Sequence, residues 1–206
     1  MSPFLTFLVA ATLLAFTPGP GIAYVVARTA SGGRAEGLAS CVGTALGGMV
    51  HVLASAFGLS LALAQSALAF SVVKHVGAAY LVYLGIRLLL NGRSAEPPGP
   101  LAPQGVRRAL RDGAVVEALN VKTAIFFLAF LPQFVDPAEH LVPQLLLLGS
   151  ICVTLNTGVD VLAVFGASRL LASRPARAAR ERLLRRASGA TMIGLGVYLA
   201  AARRET

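Results

Sequence analysis

The sequence predicts an all-α, polytopic membrane protein whose six transmembrane helices form two inverted three-helix repeats. Three observations carry this: apolar runs long enough to span a bilayer, basic residues gathered between those runs, and landmarks that recur in the same order in both halves. Hydrophobic residues make up 56% of the chain and charged residues 13%, against about 25% charged in a soluble domain. A soluble chain of 206 residues could bury one core, but not several apolar stretches of roughly 20 residues each.

The runs are, in order, Phe4 to Ala27, Leu38 to Leu63, Leu68 to Leu90, Val115 to Val135, Leu141 to Leu171 and Ser188 to Ala202. The first lacks a charged leader and is interrupted by Pro18 and Pro20, so it reads as a retained helix and not as a cleaved signal. In the third, Lys74 and His75 leave the strictly apolar part to begin at Val76, and the sixth is also short; both fit a bilayer by tilting little or thinning it locally. Pro97, Pro98, Pro100 and Pro103 mark residues 91–112 as a loop dividing a first repeat, 1–90, from a second, 113–206. The whole chain is one transporter-like domain in this reading.

The formal charge of +9 could suggest nucleic acid, but the basic residues fall in short linkers and not along one helical face. A membrane surface is the simpler partner. Arg28, Arg34, Arg93, Arg107, Arg108, Arg111 and the run from Arg169 to Arg186 follow the first, third and fifth segments, so those loops are expected in the cytoplasm and both termini outside. Arg203 and Arg204 pull the other way and leave an odd number of spans as the alternative.

The halves share landmarks. Gly77-Ala-Ala-Tyr-Leu-Val-Tyr-Leu-Gly85 matches Gly189-Ala-Thr-Met-Ile-Gly-Leu-Gly196 with one residue of slippage, and His51-Val-Leu-Ala matches Asp160-Val-Leu-Ala. The break Thr17-Pro18-Gly19-Pro20-Gly21 has its counterpart at Asn120-Val-Lys122. Three spans per repeat is an odd number, so the second half would be inverted, as in alternating-access transporters.

Two prolines remove backbone donors at Thr17 to Gly21, which makes either a plain kink or a binding site, since freed carbonyls must be buried in protein or face a wet cavity. Asp160 and Lys122 each cost about 2.5–3.5 kcal/mol at mid-membrane and so face inward, as a structural ion pair or as ligand and proton groups. His51 is either a satisfied core histidine or a proton relay. Glu117 reads as interfacial, and the strip Gly43, Ala45, Gly47, Gly48 as a packing surface. No catalytic motif is present, so no enzyme and no cofactor or metal is expected. Cys41 and Cys152 occupy matching helices, which keeps a thiol-disulfide electron carrier as the competing reading.

Taken together, Thr17-Pro-Gly-Pro, Gly43-Thr-Ala-Leu-Gly-Gly-Met-Val-His51, Lys74 to Gly85, Asn120-Val-Lys122, Phe126-Phe-Leu-Ala-Phe-Leu-Pro132-Gln-Phe134 and Asp160 resemble the LysE/Rht family of amino-acid exporters over nearly the whole chain. The resemblance implies a bacterial inner-membrane protein exporting amino acids against proton entry, with homoserine, its lactone, threonine and other neutral amino acids as substrates. Thr17, Pro18, Gly19, Pro20, Asn120 and Lys122 would bind substrate, and His51 and Asp160 would couple protons. The family pattern has Asn-Pro-Lys where this chain has Val121, so a shallower break is expected there. Homo-oligomerisation is left open by the sequence.

Overall fold

The computed structural model describes residues 3–59, 67–90, 102–136 and 138–170, with residues 186, 190, 192–197 and 200–201 near the C-terminus. Helix α1 runs Pro3–Phe16 and ends at Thr17, where Pro18 and Pro20 supply no N–H; α2 then begins at Pro20 and is helical to Leu53. As a straight helix α2 would be about 51 Å long, with Gly21 and Thr44 about 35 Å apart. Instead a Cβ placed on Gly21 would lie 3.8 Å from Thr44 Cγ2, and one on Gly37 would strike Thr29. Residues equidistant from Gly33 therefore face each other, and α2 is a helical hairpin.

The turn depends on Gly33, whose φ of 75° and ψ of −170° suit a residue without Cβ. Continuing from α2, a π-helical segment covers Ala54–Leu59, and α3 covers Ala67–Leu90. Helix α4 covers Val106–Ala118, α5 Val121–Ile125, a π-helical segment Phe126–Phe130 and a 3-10 turn Leu131–Phe134; α6 covers Leu141–Leu170.

One boundary is corrected. The loop expected over 91–112 ends by Gly105, because α4 starts at Val106, nine residues before the expected Val115. Its buried face is Ala109, Gly113 and Glu117, at helical spacing, and the small members of that face let α4 lie backbone to backbone on α2. A Cβ on Gly43 would strike the Leu110 carbonyl, one on Gly47 the Ala114 carbonyl, and one on Gly113 would sit 3.0 Å from the Ser40 carbonyl. Polar, arginine-bearing turns at the helix start hid it from a hydropathy reading.

The core lies where α1, the far end of α2, the Phe126–Phe134 stretch and α6 meet: Phe7, Leu14, Val52, Phe126, Phe127, Phe130, Leu145 and Cys152 pack together. Phe126 and Phe130 stack at 5.0 Å, Phe130 and Phe134 lie at 5.2 Å, and Phe7 meets Phe134 at 5.6 Å. In the last segment residues 192–197 are helical, and a Cβ on Gly196 would come within 2.8 Å of the Ala78 carbonyl of α3, so the two segments that share a sequence landmark pack closely. The expected linker Arg174 to Arg186 lies outside the described residues except for Arg186.

The outside is apolar. Val42, Leu46, Val50, Leu53 and Phe57 form an exposed stripe along α2 and its π extension, and Leu147, Leu162 and Phe165 are exposed on α6. Large contiguous apolar surface of this kind is rare on monomeric soluble proteins. Among the described residues, the leg of α2 after Gly33 with its π extension to Gly58, and α6, have the length and composition to cross a membrane, and α4 with α5 onward passes as a pair bent by 44°.

Candidate functional site

Both helix breaks open onto one cavity. Its wall includes Thr17, Gly19, Gly21, Thr44, Glu117, Asn120, Lys122, Thr123, Asn156, Thr157 and Asp160. The cavity is about 30 Å³, room for a water or two, so a larger guest requires the helices to part.

The first break is closed by a side chain from the second half. In an unbroken helix the N–H at position 18 would donate to Leu14 O, and Pro18 has none. Lys122 Nζ donates there instead, at 3.1 Å, and to Thr17 O at 2.8 Å. Thr17 Oγ1 donates to Leu13 O at 2.7 Å. The under-satisfied carbonyls of a helix C-terminus, Thr17 O and a Leu14 O that keeps only the Thr17 N–H at 3.1 Å, are thus met by a buried ammonium, 8% exposed.

A similar device closes the second break. Asn120 is the N-cap of α5, its Oδ1 accepting from Lys122 N at 3.1 Å and its Nδ2 donating to Glu117 Oε2 at 2.9 Å. Thr123 Oγ1 donates to Glu117 Oε1 at 2.6 Å. His51 Nε2 lies 2.9 Å from Glu117 O and, since a carbonyl oxygen only accepts, is the donor; the same carbonyl takes the Asn120 N–H at 2.9 Å. On the neighbouring helix Thr44 Oγ1 donates to Asp160 Oδ2 at 2.9 Å.

Of the residues expected to bind substrate, Thr17, Gly19, Asn120 and Lys122 line the cavity, while Pro18 and Pro20 do not; Pro20 is exposed. The prolines act on the backbone by withholding N–H groups. Of the pair expected to couple protons, Asp160 lines the cavity and His51 stands behind the break, its ring 6.0 Å from Phe127. Lys122 and Asp160 form no ion pair; ion pairs join Arg28 with Glu36, and Asp112 with Arg108 and Arg111. Glu117, read as interfacial from sequence, is buried at 9% exposure. Its position on the Ala109–Gly113 face was the available signal, lost with the missed start of α4. Thr44 was also missed, although it shares a helical face with Gly47 and Gly48. Cys41 and Cys152 are free and buried in separate packed clusters, which gives a dithiol shuttle no starting geometry.

An all-helical protein with apolar outer faces and a polar cavity at two interrupted helices has the build of a membrane translocator. The chain belongs to the LysE type translocator family, whose model matches residues 12–203, a family of membrane transport proteins and not of enzymes. It is 30% identical over 202 residues to an uncharacterised membrane protein of Vibrio cholerae, covering 97% of each chain. It is 32% identical to an uncharacterised membrane protein of Pseudomonas aeruginosa, covering 98% of this chain and 96% of that one. It is 28% identical to the homoserine/homoserine lactone efflux protein of Salmonella typhimurium, covering 96% and 95%. No solved structure matches it significantly.

Proposed function

We propose that this protein exports neutral amino acids, homoserine and threonine among them, across the bacterial inner membrane in exchange for protons, and that six spans in two inverted repeats build the path. The observation that carries the reading is the set of free valences in the cavity. An ammonium has three donors, and Lys122 uses two on carbonyls. Asp160 accepts from Thr44 on Oδ2, and its Oδ1 takes no hydrogen bond from a described residue. Glu117 has both oxygens occupied. A zwitterion therefore finds a partner for its carboxylate in Lys122 and one for its ammonium in the open oxygen of Asp160, while each Glu117 oxygen already accepts one hydrogen bond.

Asp160 also carries the coupling in this reading. A carboxylate that binds either the substrate ammonium or a proton makes the two mutually exclusive, which is what exchange requires. The efflux activity named for the Salmonella relative agrees in substrate class. Radiolabelled amino acids offered to inverted vesicles holding the purified protein test it: homoserine or threonine should accumulate under an imposed pH gradient and collapse with a protonophore. Equal uptake of lysine or glutamate, or uptake indifferent to the gradient, overturns the reading.

A further inference from the structure

We infer that Lys122 is a tethered cation: its ammonium occupies, at the broken end of α1, the carbonyl cage that interrupted-helix transporters offer to a free monovalent ion, so this protein works without one. The inference goes beyond the proposed function by assigning a cation site and its occupant, and only the part concerning transport rests on that function. In transporters with discontinuous helices, unwound carbonyls and half-helix C-termini coordinate the coupling cation near the substrate. Here the same carbonyl type is made by the same cause, because Pro18 leaves Leu14 O with only the Thr17 N–H, at 3.1 Å, as backbone donor, and the break frees Thr17 O. Both are taken by Lys122 Nζ, at 3.1 and 2.8 Å.

The Lys122 side chain stands where a free cation would have to sit to bind these carbonyls. A Cβ on Gly19 would already lie 3.3 Å from both Cε and Nζ of Lys122, so the side chain fills the space in front of the break. The charged groups around the cavity are Glu117 from α4 and Asp160 from α6. His51 reaches this region only through the Glu117 carbonyl. Neither carboxylate is ion-paired to Lys122, so the ammonium faces carbonyls on one side and the cavity on the other. It thereby brings its charge to the substrate carboxylate while holding the helix end, two tasks that a free ion would otherwise perform.

Truncating the tether should open the cage to an ion from solution. The full-length protein in detergent is heated in choline chloride, sodium chloride or methylammonium chloride at equal ionic strength. Wild type should unfold at one temperature in all three. Lys122→Ala should unfold several degrees lower in choline and regain part of the loss, saturably, in sodium or methylammonium. Lys122→Met, which fills the space with an apolar chain, should show no such rescue. In vesicles, wild-type transport should be the same with and without sodium, and Lys122→Ala should fall at least tenfold in choline and recover in part with the rescuing cation.

Wild-type stabilisation or transport that depends on sodium overturns the inference, as does a folded Lys122→Ala that melts alike in all three salts. If Lys122→Ala fails to insert, Lys122→Arg, which keeps the charge, is compared with Lys122→Gln, which keeps only a donor; transport by Gln equal to or above that by Arg overturns it. The melting measurement needs no transported molecule. Cation-selective rescue in a protein that moves no amino acid would therefore sink the proposed function and leave the tethered cation standing.

Discussion

Asp160 is held by a single side-chain hydrogen bond, from Thr44, in a helix whose one other charged residue is Arg169. An ionised carboxylate at mid-membrane costs about 2.5–3.5 kcal/mol on insertion scales, and one hydroxyl donor offsets only part of that, so this is a group poised to take a proton or a cation. Asp160→Asn keeps an oxygen for Thr44 and removes the charge. Uptake driven by a pH gradient in inverted vesicles should fall by at least tenfold; an undiminished gradient response would remove Asp160 from the coupling. Its place in the site was legible from sequence because a lone acid in an apolar run must turn away from lipid and towards the protein interior. Glu117 was not legible, since its character depends on partners from Asn120 and Thr123 that only the break brings together. Glu117→Gln leaves one oxygen where two donors arrive, and a buried donor left unmade costs about 1–3 kcal/mol. The variant should melt at a lower temperature in detergent than wild type, and an unchanged midpoint would show the carboxylate to be dispensable for folding.

At the scale of the element, the two breaks reach one result by different chemistry. The first is made by prolines and closed by Lys122. The second has no proline, yet its helix pair is bent by 44°. Asn120 is extended, at φ −74° and ψ 104°, its side chain caps the following helix, and His51 with Asn120 N–H satisfies the Glu117 carbonyl. The sequence pattern showed where the chain breaks but not how, because the cap and the histidine come from residues 66 or fewer positions apart that hydropathy cannot pair. A proline suits the first position of a helix, and the residue before it must be extended; both conditions already hold here. Val121→Pro should therefore insert and transport at a rate within about twofold of wild type, in the same vesicle assay. Replacing Pro18 and Gly19 together by alanine should do the opposite. It restores an N–H that competes with Lys122 for Leu14 O and adds a methyl group 3.3 Å from the ammonium, so the protein should insert and fail to transport.

For the whole molecule, the ends of the bundle are distinguished by charge. Arg28 Nη1 donates to Ala102 O at 3.2 Å, and Glu36 Oε1 accepts from Gln104 N and Gly105 N at 2.9 and 2.8 Å. The Gly33 turn and the start of α4 are thus bound to each other, and Arg28, Arg34, Arg107, Arg108 and Arg111 share that end. From Val106 to Phe134 the chain rises by roughly 40 Å at helical pitch, enough to cross a hydrocarbon layer of about 30 Å, and it emerges at the turn bearing Asp136, Glu139 and His140. Retention of arginine on the cytoplasmic side predicts the orientation: the Gly33 turn towards the cytoplasm and the Asp136–His140 turn outward. Single cysteines can read this, because both native cysteines are buried and can be replaced by serine, while Ala102 and Glu139 are exposed. In intact cells an impermeant maleimide should label Glu139→Cys and leave Ala102→Cys untouched until the membrane is opened. Labelling of Ala102→Cys from outside would invert the assignment, and labelling of both from outside would mean that α4 and α5 do not together cross the membrane.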